Sequence, residues 1–80
     1  MSADPRPALR RFLARHAGDR APRDDEDVFA GGYVNSLLAL ELVRFVEREL
    51  GVAVRDEDLD LDNFRSIDAI SAFVVRRSAP

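Results

Sequence analysis

The stretch Ser36-Leu-Leu-Ala-Leu-Glu-Leu-Val-Arg-Phe-Val-Glu-Arg-Glu-Leu50, followed by Gly51, decides the fold. It holds no Gly or Pro and many good helix formers, which predicts a helix over 36–50 stopped by Gly51. At about 100° per residue, Ala39, Leu42, Val43, Val46 and Leu50 share one arc, the core face. Glu41, Arg44, Glu47 and Arg48 occupy the opposite side. Leu37 and Leu40 fall among those charges, where a bundle core does not need them. They either cover neighbours such as Tyr33 or Leu61, or form an apolar contact patch ringed by charge.

Upstream, Asp4-Pro5 reads as a cap and first turn. Leu9, Phe12, Leu13 and His16 then recur at i, i+3, i+4, i+7, predicting a helix over 5–17 that Gly18 ends. Residues 18–35 form a long connection with Val28 and Phe29 as its anchors. Downstream, 51–60 reads as a loop. Leu59, Leu61 and Phe64 suggest a short helical turn over 59–64. Ser66 caps a last helix over 67–77 that turns Ile67, Ile70, Phe73 and Val74 inward. The expected fold is all-α: a small four-helix bundle of three main helices, a short third helix and a long first loop. One domain spans 1–80, with its core over about 5–77 and a frayed tail at 78–80.

The 80 residues are 46% apolar and 34% charged, the composition of a folded domain rather than a disordered one. A chain this short buries a modest fraction of its surface and leaves little room for a catalytic cleft. It has no Cys, hence no disulfide, thiol nucleophile or Cys-ligated metal. His16 is its single histidine and reads as a structural residue on the core side of the first helix or at its end. No triad, Gly-rich phosphate loop or metal-ligand cluster is evident, so the chain does not read as an enzyme. The acidic run 24–27 lacks the spaced pattern of a calcium loop and reads as solvated; no metal site is expected. No apolar run is long enough for a membrane span, and the first residues lack the apolar core of a secretory signal. A cytoplasmic location is expected.

The net charge of −3 is unevenly spread: +4 over 1–23, −9 over 24–62 and +2 over 63–80. An acidic middle disfavours nucleic acid and favours basic partner surfaces. All twelve basic residues are Arg, which reads as codon bias rather than function.

Ser36 stands where the small-residue stretch Gly31-Gly32-Tyr33-Val34-Asn35, read as flexible, meets the central helix. The plain reading is an N-cap. A phosphate on its hydroxyl would also sit beside unsatisfied N–H groups and the positive end of the helix dipole. The position therefore suits a phosphoester as well.

The run Asp27-Val-Phe-Ala-Gly-Gly-Tyr-Val-Asn35-Ser36-Leu37-Leu38-Ala-Leu40-Glu41-Leu42-Val43 resembles the region around the modified serine of acyl carrier proteins. The continuation through Gly51-Val52, and Asp60-Leu-Asp-Asn-Phe-Arg-Ser-Ile-Asp-Ala-Ile70, keep that family's order over residues 8–77. The resemblance implies that Ser36 receives 4′-phosphopantetheine from coenzyme A and that an acyl group is held as a thioester on this arm. It implies partner recognition through Asn35, Leu37, Leu40, Glu41, Arg44, Glu47 and Arg48, and through Asp56 and Glu57; Asp56, Glu57 and Asp58 match an acidic stretch before the family's third helix. The implied partners are a phosphopantetheinyl transferase, an acyl- or aminoacyl-loading enzyme, and an acyltransferase, ketosynthase or tailoring enzymes. Such a carrier does not catalyse, and it is expected to work as a monomer.

Two departures bear on the sub-family. Asn35 replaces the usual Asp, keeping its capping ability but not its charge. Arg44 and Arg48 bring positive charge to a helix that is more acidic in fatty-acid carriers. With the Val-Asn-Ser-Leu stretch, these resemble discrete carriers of polyketide and other secondary metabolism, antibiotic biosynthesis included, and first those for methoxymalonyl-type extender units. An aminoacyl or peptidyl carrier remains the nearest alternative. A helical protein-interaction domain in which Ser36 is only an N-cap is the alternative from another class.

Overall fold

The computed structural model describes residues 4–17 and 21–78. Helix α1 spans Arg6–Ala17, α2 Ser36–Glu49, α3 Leu61–Phe64 and α4 Ile67–Ser78, with a 3₁₀ turn at Asp56–Asp58 between α2 and α3. No strand occurs among the described residues, so the expected all-α, four-helix architecture is what the chain adopts. No described helix is long and apolar enough to cross a membrane.

Each helix starts on a side chain suited to the task. Asp4 Oδ1 accepts the Arg6 N–H at 3.0 Å, Asp60 Oδ1 the Asp62 N–H at 2.9 Å, and Ser66 Oγ the Ala69 N–H at 3.0 Å. Helix α2 ends at Glu49 with Leu50 as its C-cap, and Gly51 at φ +69° turns the chain out of it. That left-handed angle is one an L side chain rarely adopts. The exit lets Val52 reach back into the core, its N–H 3.4 Å from the Val46 carbonyl.

The core is built from the stripes the periodicity predicts: Leu9, Phe12 and Leu13 of α1, Leu42 and Val46 of α2, and Ile67, Ile70, Phe73 and Val74 of α4 are all buried. Phe12 meets Phe45 with ring centroids 4.7 Å apart, joining α1 to α2, and Phe64 meets Phe73 at 5.6 Å, joining α3 to α4. His16 takes the second of its two expected places, exposed on the last turn of α1, where its Nδ1 lies 2.9 Å from the Phe12 carbonyl and its ring packs on Phe12. Three expectations are corrected. Residues 56–58 form a 3₁₀ turn rather than open loop, because Asp58 folds back to accept the Arg55 N–H at 3.0 Å. Leu59 lies outside α3 and is exposed, as is Leu61. Ser78 belongs to α4 rather than to a tail. The Gly18 stop and residues 79–80 lie outside the described residues.

The long first connection is not slack. Val28 is fully buried, its N–H donates to the Arg65 carbonyl at 2.7 Å, and its own carbonyl accepts from Tyr33 and Val34 at 2.9 and 3.0 Å. Asp68 N–H donates to the Asp24 carbonyl at 2.9 Å. These bonds stitch the loop to the corner between α3 and α4. The acidic run is used locally: Asp24 pairs with Arg10, Asp25 with Arg23, Glu26 accepts from the Arg23 N–H and Tyr33 hydroxyl, and Asp27 accepts from Phe29 and Ala30.

Truncating Leu42 removes a fully buried side chain, so Leu42→Ala is expected to cost about 2–5 kcal/mol in denaturant unfolding. Leu37→Ala is expected to change it by less than about 0.5 kcal/mol. Equal losses would mean that α2 presents a different face to the core. A second expectation concerns acid. The Arg55 N–H and then the Arg77 guanidinium hold the Asp58 carboxyl below the usual carboxylate range. A group lowered on folding adds stability above its unfolded value of about 3.9 and loses it as pH falls through the lower folded value. Asp58→Asn is therefore expected to lower the melting temperature at neutral pH, with the deficit shrinking as pH drops below about 3.9. A deficit unchanged with pH in melts followed by circular dichroism would contradict this.

Candidate functional site

Val28 holds the loop, and the loop in turn fixes where α2 begins. Asp27 Oδ1 binds the Phe29 and Ala30 N–H groups, the Asp27 carbonyl accepts from Gly31 at 2.9 Å, and the Phe29 carbonyl accepts from Gly32 at 3.2 Å. Gly31 has no room for a side chain: a Cβ there would meet the Tyr33 ring at 2.7 Å and the Asp27 carbonyl at 3.0 Å. Gly32 takes φ +79°. Val34 is buried beside Val28 in the core cluster. The stretch 31–35 is thus a hydrogen-bonded approach to α2, not the flexible linker its small residues suggest.

Asn35, in extended backbone at φ −106°, is the N-cap of α2, and its Oδ1 accepts the Leu38 N–H at 2.9 Å. Ser36 is therefore the first helical residue and not the cap. Its hydroxyl forms no hydrogen bond among the described residues, and its side chain is exposed. With Leu38 satisfied by Asn35, the N–H groups of Ser36 and Leu37 have no acceptor among the described residues and face outward at the positive end of the helix dipole. The other described serines differ. Ser66 is buried and caps α4, Ser71 is half-buried within α4, and Ser78 lies at the C-terminal, negative end of that helix.

The outward face of α2 continues from Ser36. Leu37 is 72% exposed and Leu40 64%, so neither covers Tyr33 or Leu61. Glu41, Arg44 and Arg48 are exposed. Glu47 is exposed too, but its Oε2 takes the Val54 N–H at 3.1 Å, which turns this carboxylate toward the loop after α2. Asp56 and Glu57 are exposed on the separate 3₁₀ turn. Asp58 parts company with them: it is 6% exposed, bound to the Arg55 N–H and paired with Arg77, a structural link between the turn and α4.

One feature escapes the sequence reading. A shallow, open apolar cavity of about 200 Å³ lies between α2 and α3, lined by Phe29, Ala39, Leu42, Val43 and Phe64 with Leu59, Asp60 and Leu61 also contributing. Its only sequence signal is the pair Leu59 and Leu61 two residues apart, a spacing that a helical stripe does not produce. A larger groove of about 570 Å³ lies between α1 and α2, lined by Arg11, Arg15, Phe45 and Glu49. Phe45 is nine residues along α2 from Ser36, about 14 Å away by helical rise.

This arrangement suits a phosphoester. The residues offer an exposed, unengaged hydroxyl, two free N–H groups beside it, and an apolar cavity flanking the same helix. Among the described residues no group of three or more His, Asp or Glu side chains is poised around a metal ion. A search of curated proteins finds no match. The family model described as phosphopantetheine attachment site matches residues 7–74, a span that takes in α2, α3 and most of α1 and α4. The chain belongs to the family of phosphopantetheine-attachment domains, which carry 4′-phosphopantetheine as a covalently bound group and serve as carriers for partner enzymes.

Proposed function

We propose that the protein is an acyl carrier whose 4′-phosphopantetheine is attached to Ser36. The observation that carries this reading is the position of Ser36: exposed, first in α2, with the cap provided by Asn35. Attachment joins Ser36 Oγ to the phosphorus of the arm as the pyrophosphate bond of coenzyme A breaks, with 3′,5′-ADP leaving and the hydroxyl proton released. The N–H groups of Ser36 and Leu37 and the helix dipole favour the negative charge that results. When bound, the arm supplies a thiol that holds the cargo as a thioester.

The cavity between α2 and α3 supports an acyl over an aminoacyl cargo, because every lining residue except Asp60 is apolar. An aminoacyl or peptidyl load is the alternative. Leu37 and Leu40 give partners an apolar foothold next to Ser36; Asn35, Glu41, Arg44, Glu47 and Arg48 surround it with polar and charged groups, and Asp56 and Glu57 extend that surface. The partners are a phosphopantetheinyl transferase, a loading enzyme, and acyltransferases, ketosynthases or tailoring enzymes. Asn35, Arg44 and Arg48 support a dedicated pathway in secondary metabolism, such as one supplying polyketide extender units in antibiotic biosynthesis. The carrier works as a non-catalytic monomer in the cytoplasm.

Ser36→Ala is expected to abolish incorporation of the arm by a broad-specificity phosphopantetheinyl transferase, with stability changed by less than about 0.5 kcal/mol. Modification of that variant to the wild-type extent would refute the assignment. Leu37→Ala is expected to lower kcat/KM for modification or loading by about tenfold, the scale of one lost apolar contact, and Glu41→Arg to lower it by about as much through charge reversal beside Ser36. A large drop in melting temperature for either would show that the residue belongs to the core.

A further inference from the structure

Opposite the buried Val46, the centre of the outward ridge of α2 is formed by Leu37, Arg44 and Arg48, all within about 20° of one line. Leu40 and Glu41 flank it. Arg44 and Arg48 are one turn apart, a like-charge spacing that weakens a helix. The chain does not neutralise them: neither forms an ion pair among the described residues. Glu47, which could reach Arg44 at i+3, is instead turned toward the Val54 N–H. Arg6, Arg10, Arg23, Arg65 and Arg77 find carboxylates, whereas Arg11, Arg15, Arg55 and Arg76 also lack an ion pair among the described residues; what sets Arg44 and Arg48 apart is their place in line with the exposed Leu37 on the helix that Ser36 begins.

We infer that this ridge docks a protein partner that sets an apolar spot against Leu37 and Leu40 and carboxylates against Arg44 and Arg48. The inference rests on Ser36 as the attachment site and adds the charge sign of the partner surface. By helical rise, Arg44 and Arg48 lie about 12 and 18 Å along the axis from Ser36. The carboxylates thus belong well away from the point where the arm enters the partner. Charge complementarity selects a protein rather than a polyanion. Glu41 borders the ridge, and residues 24–62 carry −9, so a uniformly negative nucleic acid or membrane would be repelled. A protein surface places single carboxylates only where the arginines are.

Two stapled helical peptides provide the test, identical in a leucine pair and differing only in two Glu or two Lys residues one turn apart. Each is titrated into the isotopically labelled protein, and amide shifts are followed by NMR at low and high salt. The Glu peptide is expected to shift Leu37, Arg44 and Arg48, to bind about fivefold more tightly than the Lys peptide, and to weaken in salt. Arg44→Glu/Arg48→Glu is expected to reverse the preference while keeping a dispersed, folded spectrum. Equal or tighter binding of the Lys peptide to the wild type, or no shift with the Glu peptide, would overturn the proposal. So would tighter binding of oligothymidylate or phosphatidylserine vesicles. The same samples are then treated with transferase and coenzyme A. Peptide preference without modification of Ser36 would refute the attachment reading alone; modification without the preference would refute the acidic-partner surface alone.

Discussion

Burial of Val28 is the constraint on which the rest of the site depends. A long connection between α1 and α2 would ordinarily be free to drift over the surface. Here one valine is driven fully into the core, and its backbone is bonded on both sides, to Arg65 and to Tyr33 and Val34. Each of those bonds crosses from the loop to another part of the chain or closes the loop on itself. Their joint effect is to deliver Val34 to the core and Asn35 to the start of α2. Without that anchor the cap would lose its position, and the serine beside it would lose its fixed relation to the helix dipole.

Helix α2 then serves two purposes with two faces. Leu42 and Val46 hold it to the bundle, and among the described residues of the opposite face only Glu47, which accepts the Val54 N–H, is engaged with the rest of the fold. That face carries the exposed Leu37 and Leu40 and charges beyond them. The cavity between α2 and α3 lies on a third side, where Ala39 and Val43 are only partly covered. Its far wall is held by the Asp58 to Arg77 pair and by the hydrogen bond from Arg76 to Asn63, at 3.1 Å, both tying the 56–64 segment to α4. The buried stripe, the exposed ridge and the apolar depression thus lie on different surfaces of the same short helix and its neighbours.

Much of this was legible in the residues. The stripes of α1, α2 and α4 follow a 3.6-residue period because one face of each meets a common core, and periodicity reports burial directly. Ser66 and Gly51 were readable because capping and left-handed exits demand particular residue types. What was not legible involves contacts between parts far apart in sequence or competition between neighbours. Asn35 and Ser36 are both good caps, and only the backbone decides between them. Gly31 and Gly32 suggest slackness, whereas one is required by a close approach to Tyr33 and the other by a positive φ. Asp58 looks like its acidic neighbours until Arg77, nineteen residues on, is seen to pair with it. His16 keeps the spacing of a core residue but falls on the last turn, where the bundle no longer covers it.

The most direct test of the central claim is to locate the modification on the unaltered protein. The chain is incubated with coenzyme A, magnesium and a phosphopantetheinyl transferase, and the product is read by intact mass and peptide fragmentation. The account predicts a gain of one phosphopantetheine, carried by the peptide that contains Ser36. Folded protein that takes up none, or that carries it on Ser66, Ser71 or Ser78, would contradict it.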